Sequence, residues 1–283
     1  VGVFLTALTT GLLCYDALKF SFLESMLIGS VISSTDAASV FSIFRSKHLN
    51  LKYNTASLLE VESGSNDPCS YMLTVIVLSV ISGQSNGTKL IYMIFAQIIF
   101  GIVCGVIIAL AASYVLSKFK FTSDGFDTIF VFSIALVSYA IPTIIGGNGY
   151  LSTYITGIIL GNKPIYNKKS LVHFFDGITG LMQMLIFFLL GLLSFPSQLP
   201  QIMLPSLAIA LFLTFISRPL AVFAILSPFK CPVNQQLLVA WSGFRGAASI
   251  VFSIIAAVSP AYTNHDIFHI AFFIVLFSIS IHG

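Results

Sequence analysis

Apolar residues follow one another along this chain in long blocks, separated by turn signals and small clusters of charge. A helix that crosses a bilayer needs about 20 largely apolar residues. The blocks lie near 1–15, 22–44, 54–82, 90–117, 126–145, 150–162, 171–194, 201–227, 234–258 and 267–283. The sixth is short, and the first and last are expected to be incomplete. Gly146-Gly147-Asn148-Gly149 reads as a turn between two helices, and Pro196 to Pro200 as another. Pro142 and Pro219 fall inside apolar blocks, where neighbouring helices can accommodate a kink. The pattern predicts an all-α integral membrane protein, a polytopic helical bundle of about ten segments.

Composition narrows the class further. Hydrophobic residues make up 57% of the 283 positions and charged residues only 8%, against roughly 25% charged in an average soluble chain. With a mean hydropathy of +0.99, a soluble enzyme, a disordered protein and a nucleic-acid binder are excluded. The net charge of +3 says little alone; position matters more. Lys and Arg collect on the cytoplasmic side of membrane proteins. One set of loops holds Arg45, Lys47, Lys52, Lys118, Lys120, Lys163, Lys168, Lys169 and Lys230, and the opposite set only Lys19 and Lys89. The loop after the second block is therefore expected to be cytoplasmic. Cys14, Cys69, Cys104 and Cys231 are scattered without metal-ligand or CxxC spacing and read as reduced thiols. The chain starts Val1-Gly2-Val3-Phe4 with no visible signal peptide and stops inside an apolar block. It is expected to be a fragment cut within a membrane domain at both ends.

Ionisable groups at membrane depth are costly and are functional candidates by default. Four stretches carry them: Ser33-Ser34-Thr35-Asp36, Glu60 to Pro68, Arg218, and Ser242-Gly243-Phe244-Arg245-Gly246. In a helix over the second stretch, Glu60, Ser63 and Asp67 share one face, with Glu62 and Asn66 on the adjacent one. That helix must line a wet cavity or meet cations. Arg218 could neutralise one carboxylate in a structural network, a reading open for Glu62 and weaker for Asp67, yet the intramembrane arginines cannot neutralise three carboxylates plus Asp36. The second and ninth blocks are each interrupted by small polar residues. They lie an odd number of segments apart, so they cross in opposite directions, as the paired broken helices of inverted-repeat transporters do. Asp36 could cap the amides of a half-helix starting there, bind a ligand, or both. Arg245 could offset the carbonyls of an opposing helix end, which reads more simply than a transport role.

A carboxylate out of water holds its proton more tightly, and a nearby cation loosens it. Such a group takes a proton or a monovalent cation in competition, which suffices for exchange at an alternately exposed site. Carboxylate, hydroxyl and carbonyl oxygens suit a hard cation, and Asp67, Asp36, Ser63 and Thr35 supply them.

These residues also carry a resemblance. Ser33-Ser34-Thr35-Asp36-Ala37-Ala38, followed by Val40-Phe41-Ser42, resembles the broken-helix motif of bacterial NhaP-type cation/proton antiporters. Glu62-Ser63-Gly64-Ser65-Asn66-Asp67-Pro68 is similar to that family's ion-site helix, and Gly243-Phe244-Arg245-Gly246-Ala247 to its second broken helix. Phe175-Asp176-Gly177 and Leu189-Leu190-Gly191-Leu192 fit the helices between. The similarity covers essentially the whole chain, and its spelling is nearest the potassium/proton, cell-volume-regulation branch.

The resemblance implies two crossed discontinuous helices, no resident cofactor, and a homodimeric, electroneutral exchanger of one monovalent cation for one proton in the plasma or inner membrane. It assigns ion binding to Asp67, Asp36, Ser63 and the Thr35 carbonyl, with Asn66-Asp67 marking the electroneutral branch. A structural ion pair between Glu62 and Arg218 is implied as well. Residues 1–283 would then be part of one transmembrane domain, lacking its first three helices and the end of its last. Glu60, almost two turns toward the cytoplasm from Asp67, could form part of an ion entry funnel. Asp176 and His173, near the cytoplasmic start of the seventh block, could shape that funnel or sense pH, a solvated helix end being the simpler reading. His48, His265, His269 and His282 carry no pattern. Two rival readings use the same carboxylates, a passive cation channel and an intramembrane aspartyl protease. The protease lacks a Gly-x-Gly-Asp motif, and no HExxH is present. Opposed broken helices favour exchange over conduction.

Overall fold

The computed structural model describes residues 1–36, 51–83, 86–118, 125–165, 168–195, 197, 199–261, 263 and 265–282. The protein is an all-helical membrane bundle, with no strand among the described residues. Its helices are α1 (Gly2–Asp16), α2 (Phe22–Ile32), α3 (Thr55–Ile81), α4 (Gly87–Lys118), α5 (Phe126–Ile144), α6 (Gly149–Gly161), α7 (Lys168–Leu193), α8 (Leu199–Phe212), α9 (Arg218–Leu226), α10 (Val233–Trp241), α11 (Ala247–Val258) and α12 (Ile267–His282). A π-turn over Leu213–Ser217 joins α8 to α9.

Chain contacts divide these helices into two compact units, Val1–Ser85 with Leu189–Gly283, and Asn86–Phe188. In the first unit, α2 packs along α1. Gly29 faces the Ala7 carbonyl and Gly11 the Met26 side chain, and a Cβ at either would overlap its neighbour. In the second, α4 packs on α6 through Gly101 and Gly105, whose missing side chains admit the backbone of Asn148 and Ser152. Thr156 donates to the Gly105 carbonyl at 3.1 Å. Small residues permit this approach of helix backbones in a bundle whose surroundings are as apolar as its core.

The second block begins as a well-capped helix. Ser21 Oγ accepts from the Glu24 amide at 3.4 Å and donates to the Glu24 carboxylate at 3.0 Å, an N-cap in which the Glu24 side chain meets the serine hydroxyl. Helix α2 stops at Ile32, where Ser33 Oγ turns back onto the Ser30 carbonyl at 2.8 Å. The expected second half of that block, with Val40-Phe41-Ser42, Arg45, Lys47 and His48, lies outside the described residues, as does Lys120. The ninth block is two helices, α10 and α11, separated by residues 242–246. Phe244 anchors this second break in an apolar cluster with Leu59, Val222, Val239 and Ala240.

Four described stretches are long and apolar enough to cross a membrane, α4, α5, α7 and Leu199–Phe229, and α1, α2, α11 and α12 are shorter apolar helices. The physical reasons differ by element. A break halves the ninth block, α2 ends at Ile32, α6 has only 13 residues, and α3 has the length with 27 residues but carries charge. Pro219 lies in the first turn of α9, where its missing N–H costs little, so the irregularity at this point of the eighth block is the π-turn.

Candidate functional site

The polar face of α3 lies against the first break. Ser63 Oγ donates to the Thr35 carbonyl at 2.6 Å, and Asn66 Nδ2 donates to Thr35 Oγ1 at 2.7 Å. One turn along, Ser34 Oγ donates a short bond to Asp67 Oδ1, and Ser70 Oγ donates to the Ser30 carbonyl at 2.5 Å. The spacing of residues 63, 66, 67 and 70 puts all four on one side of α3, so Ser63 and Asn66 meet Thr35, Asp67 meets Ser34, and Ser70 meets Ser30 in the last turn of α2. Pro68 follows Asp67 and supplies no N–H to the helix ladder. Ser33, Ser34, Thr35, Asn66 and Ser70 are buried, while Asp36, Ser63 and Asp67 keep partial access.

The second break meets the first directly. The Asp36 amide donates to the Phe244 carbonyl at 2.9 Å. Arg245 Nη1 donates to the Ser33 and Ser34 carbonyls at 2.8 and 2.7 Å, and the Arg245 amide donates to Ser278 Oγ of α12 at 3.1 Å. The Asp36 carboxylate lies against Gly246, at the N-cap of α11, so tightly that a Cβ there would overlap it. Each break thus holds a charged side chain of the other. Arg245 faces the carbonyl end of α2, and Asp36 faces the amide end of α11, each matching the partial charge of the helix terminus it meets. The helix that Asp36 was expected to begin lies outside the described residues.

Glu62 points to the other side of α3. Arg218 donates to it through both terminal nitrogens, at 2.5 and 2.9 Å, and Nη2 also reaches the Val239 carbonyl at 3.3 Å. Arg218 is buried at the start of α9. A Cβ on Gly243 would come within 2.8 Å of its Nε, so that glycine leaves room for the guanidinium. The nitrogens Nε of Arg218 and of Arg245 have no hydrogen-bond partner among the described residues. A cavity of about 290 Å³ opens beside the pair, walled by Leu58, Glu62, Ser65, Asn66 and Arg218.

The expected site residues therefore fall into separate groups. Asp36, Thr35, Ser63, Asn66 and Asp67 come together where the breaks meet; Glu62 and Arg218 form their own pair; Arg245 sits on the first break. Glu60 is exposed on α3. Asp176 and His173 are exposed on α7 in the second unit, where Asp176 lines a cavity of about 400 Å³ with Ser138, Thr156 and Lys168.

Sequence reasoning passed over three participants. Ser34 was quoted within its motif but given no role, because nothing in the run Ser33-Ser34 says which hydroxyl faces α3. Gly246 has no side chain to draw notice. Glu24 is buried and meets His265 Nδ1 at 3.2 Å, with His265 stacked on Phe20. Ser21-x-x-Glu24 was readable as a helix N-cap, whereas a partner 241 residues away left no local signal.

Comparison with known proteins places this geometry. The sequence profile of the sodium/hydrogen exchanger transmembrane family matches residues 1–283. The chain is 36% identical over its whole length to a K(+)/H(+) antiporter NhaP from Alkalimonas amylolytica, covering 49% of that protein. It is 35% identical over its whole length to a K(+)/H(+) antiporter NhaP2 from Shewanella sp. strain ANA-3, again covering 49%. The chain thus spans about half the length of these curated relatives. A solved structure of the sodium proton antiporter MjNhaP1 from Methanocaldococcus jannaschii at pH 8 has the same fold, with a TM-score of 0.84 at 24% identity, covering all of this chain and 76% of that one.

Proposed function

The chain belongs to the sodium/hydrogen exchanger transmembrane family, and from that premise we propose that its protein exchanges a monovalent cation for a proton across the plasma or inner membrane. The exchange is electroneutral and proceeds by alternating access. Asp67 and Asp36 are the carboxylates for which cation and proton compete, with Ser63 and Thr35 as neutral oxygens and Asn66 holding the Thr35 hydroxyl. Glu62 with Arg218 is a structural pair. Arg245 compensates the broken end of α2, and Glu60 and Asp176 belong to entry routes at their own helices. Potassium is the cation to expect, since relatives with 36% and 35% identity are named K(+)/H(+) antiporters. The cation and the proton are cargo, and the reading needs no resident cofactor. Homodimerisation completes it, to be checked from the mass of the full-length protein in detergent.

One observation supports this reading above the others. Both carboxylates lie where the segment that ends α2 meets the break between α10 and α11, Asp67 bonded to the first and Asp36 against the second. Oxygen-rich broken helices are the usual place for a coupling ion in inverted-repeat transporters. Two carboxylates among neutral oxygens provide a hard-cation site that a proton can also claim.

Full-length protein in proteoliposomes carrying a pH dye tests it. Addition of K⁺ or Na⁺ is expected to drive proton movement in the wild type, saturating with cation, and none in Asp67→Asn inserted to the same level. Proton movement that persists in Asp67→Asn removes the site assignment. Current that flows without a proton counter-gradient puts conduction in place of exchange.

A further inference from the structure

We propose that the Ser34 hydroxyl competes with the transported cation for Asp67, setting the apparent affinity of the site without serving as a cation ligand. The proposal rests on the reading of Asp67 as the exchange carboxylate. It starts from the direction of one hydrogen bond. Ser34 Oγ is the donor and Asp67 Oδ1 the acceptor, so the proton of the hydroxyl occupies a lone pair that a cation or a transported proton would otherwise use. A bond from a hydroxyl to an ionised carboxylate is charge-assisted and about twice as strong as a neutral one. A cation or proton that takes that lone pair displaces it.

The surroundings keep that donor in place. Ser34 is 2% exposed, too enclosed for water to take over its role. Its own carbonyl is held by Arg245 Nη1 at 2.7 Å, which also holds the preceding carbonyl of Ser33 at 2.8 Å. The backbone carrying the hydroxyl is therefore clamped from the second break. Ser63 differs in this respect. It gives its proton to the Thr35 carbonyl, leaving the carboxylate of Asp67 out of that bond. Ser34 spends its donor on the carboxylate. It acts as a built-in substitute for the cargo, a positioning residue that holds Asp67 toward the first break between loads.

Apparent cation affinity then reports cation coordination less the bond that is lost, and removing the hydroxyl tightens binding. The test uses the full-length protein in proteoliposomes, titrated with K⁺ and with Na⁺ at a pH alkaline enough that protons do not compete. Ser34→Ala is expected to lower the cation KM by about tenfold, the worth of one hydrogen bond to a charged group. Ser34→Cys, close in size but a weaker donor, falls between. A second readout is independent of transport: the rise in melting temperature with K⁺ should begin at about tenfold lower K⁺ in Ser34→Ala than in the wild type.

A KM that rises in Ser34→Ala would make Ser34 a cation ligand and overturn the proposal. An unchanged KM with a lower maximal rate would make it structural, with the same consequence. Should Ser34→Ala fail to insert, Ser34→Cys carries the same two readouts. A wild type that exchanges neither cation removes the antiporter reading and this inference together. Wild-type exchange with an unmoved KM in the variants removes the inference alone.

Discussion

Arg218 joins three elements through one guanidinium, bonding Glu62 on α3 and the Val239 carbonyl of α10 from the first residue of α9. Breaking a buried ion pair strands a charge in a poor solvent. Arg218→Ala is expected to cost about 3 kcal/mol, seen as a lower melting temperature of the full-length protein in detergent. Glu62 keeps 23% side-chain exposure against 4% for Arg218, so Arg218→Ala alone, which leaves the carboxylate partly hydrated, is the milder break. Glu62→Gln leaves the more enclosed cation without its partner and should cost at least as much. The double variant Glu62→Gln/Arg218→Met should recover part of the loss; additive losses would mean that the two do not stabilise each other. Two glycines of the second break separate structure from function in the same way. An alanine at Gly243 pushes on the Arg218 side chain, and one at Gly246 on the Asp36 carboxylate. Gly243→Ala should lower stability by about 1–3 kcal/mol through overpacking, whereas Gly246→Ala should chiefly reduce cation-driven proton movement. Equal behaviour of the two in both assays would refute the distinction.

At the scale of elements, the breaks are the feature that sequence exposes best. Polar residues in the middle of an apolar block have few tolerable explanations at membrane depth; Ser242 to Gly246 separate two helices and Ser33 to Asp36 follow the end of α2, where breaks were expected. The face of α3 was legible in part: helical spacing puts Ser63 and Asp67 together and Glu62 apart, but it grouped Asn66 with Glu62, and Asn66 bonds Thr35 beside Ser63. What periodicity could not supply was the target of each charge. Arg245 meets carbonyls 212 and 211 positions away, a pairing decided by packing of α11 and α12 against α2. The π-turn was illegible for a similar reason. Leu213-Thr214-Phe215-Ile216-Ser217 reads as ordinary membrane helix, and its one added residue per turn is matched to α1, where Ser217 Oγ lies 2.6 Å from Thr9 Oγ1 and 3.2 Å from Thr10 Oγ1. Arg245 as a helix-end compensator carries its own expectation. Arg245→Ala leaves two buried carbonyls without their donor and should destabilise by about 2–3 kcal/mol, with partial recovery in Arg245→Lys, which restores the charge but not the planar fork. A stable but inactive Arg245→Ala would give the arginine a transport role instead.

Across the whole molecule, the two compact units were hidden from the sequence because one of them is discontinuous, gathering Val1–Ser85 and Leu189–Gly283. No shift in composition marks that boundary; α7 runs through it as continuous apolar helix. Orientation is the opposite case, since it depends on a sum over loops and needs no contact to be known. Lys163 and Lys169 are exposed next to α6 and α7, and Lys19 and Lys89 are exposed beside the opposite ends of other blocks. The bias of basic residues then fixes which ends face the cytoplasm. It also assigns the buried Glu24, with His265 against it, to the outer end of α2, half a membrane from the break. Single cysteines introduced at these positions in a full-length protein otherwise free of cysteine would check this. A membrane-impermeant maleimide applied to intact cells should label Lys19→Cys and Lys89→Cys, and should reach Lys163→Cys and Lys169→Cys only after the membrane is opened. Labelling of Lys163→Cys from outside would reverse the topology and place the Glu62 side of α3, rather than Glu24, toward the exterior. Mixed labelling at neighbouring positions would instead break the count of segments, because a single added or missing crossing between the two sites changes the side of everything after it.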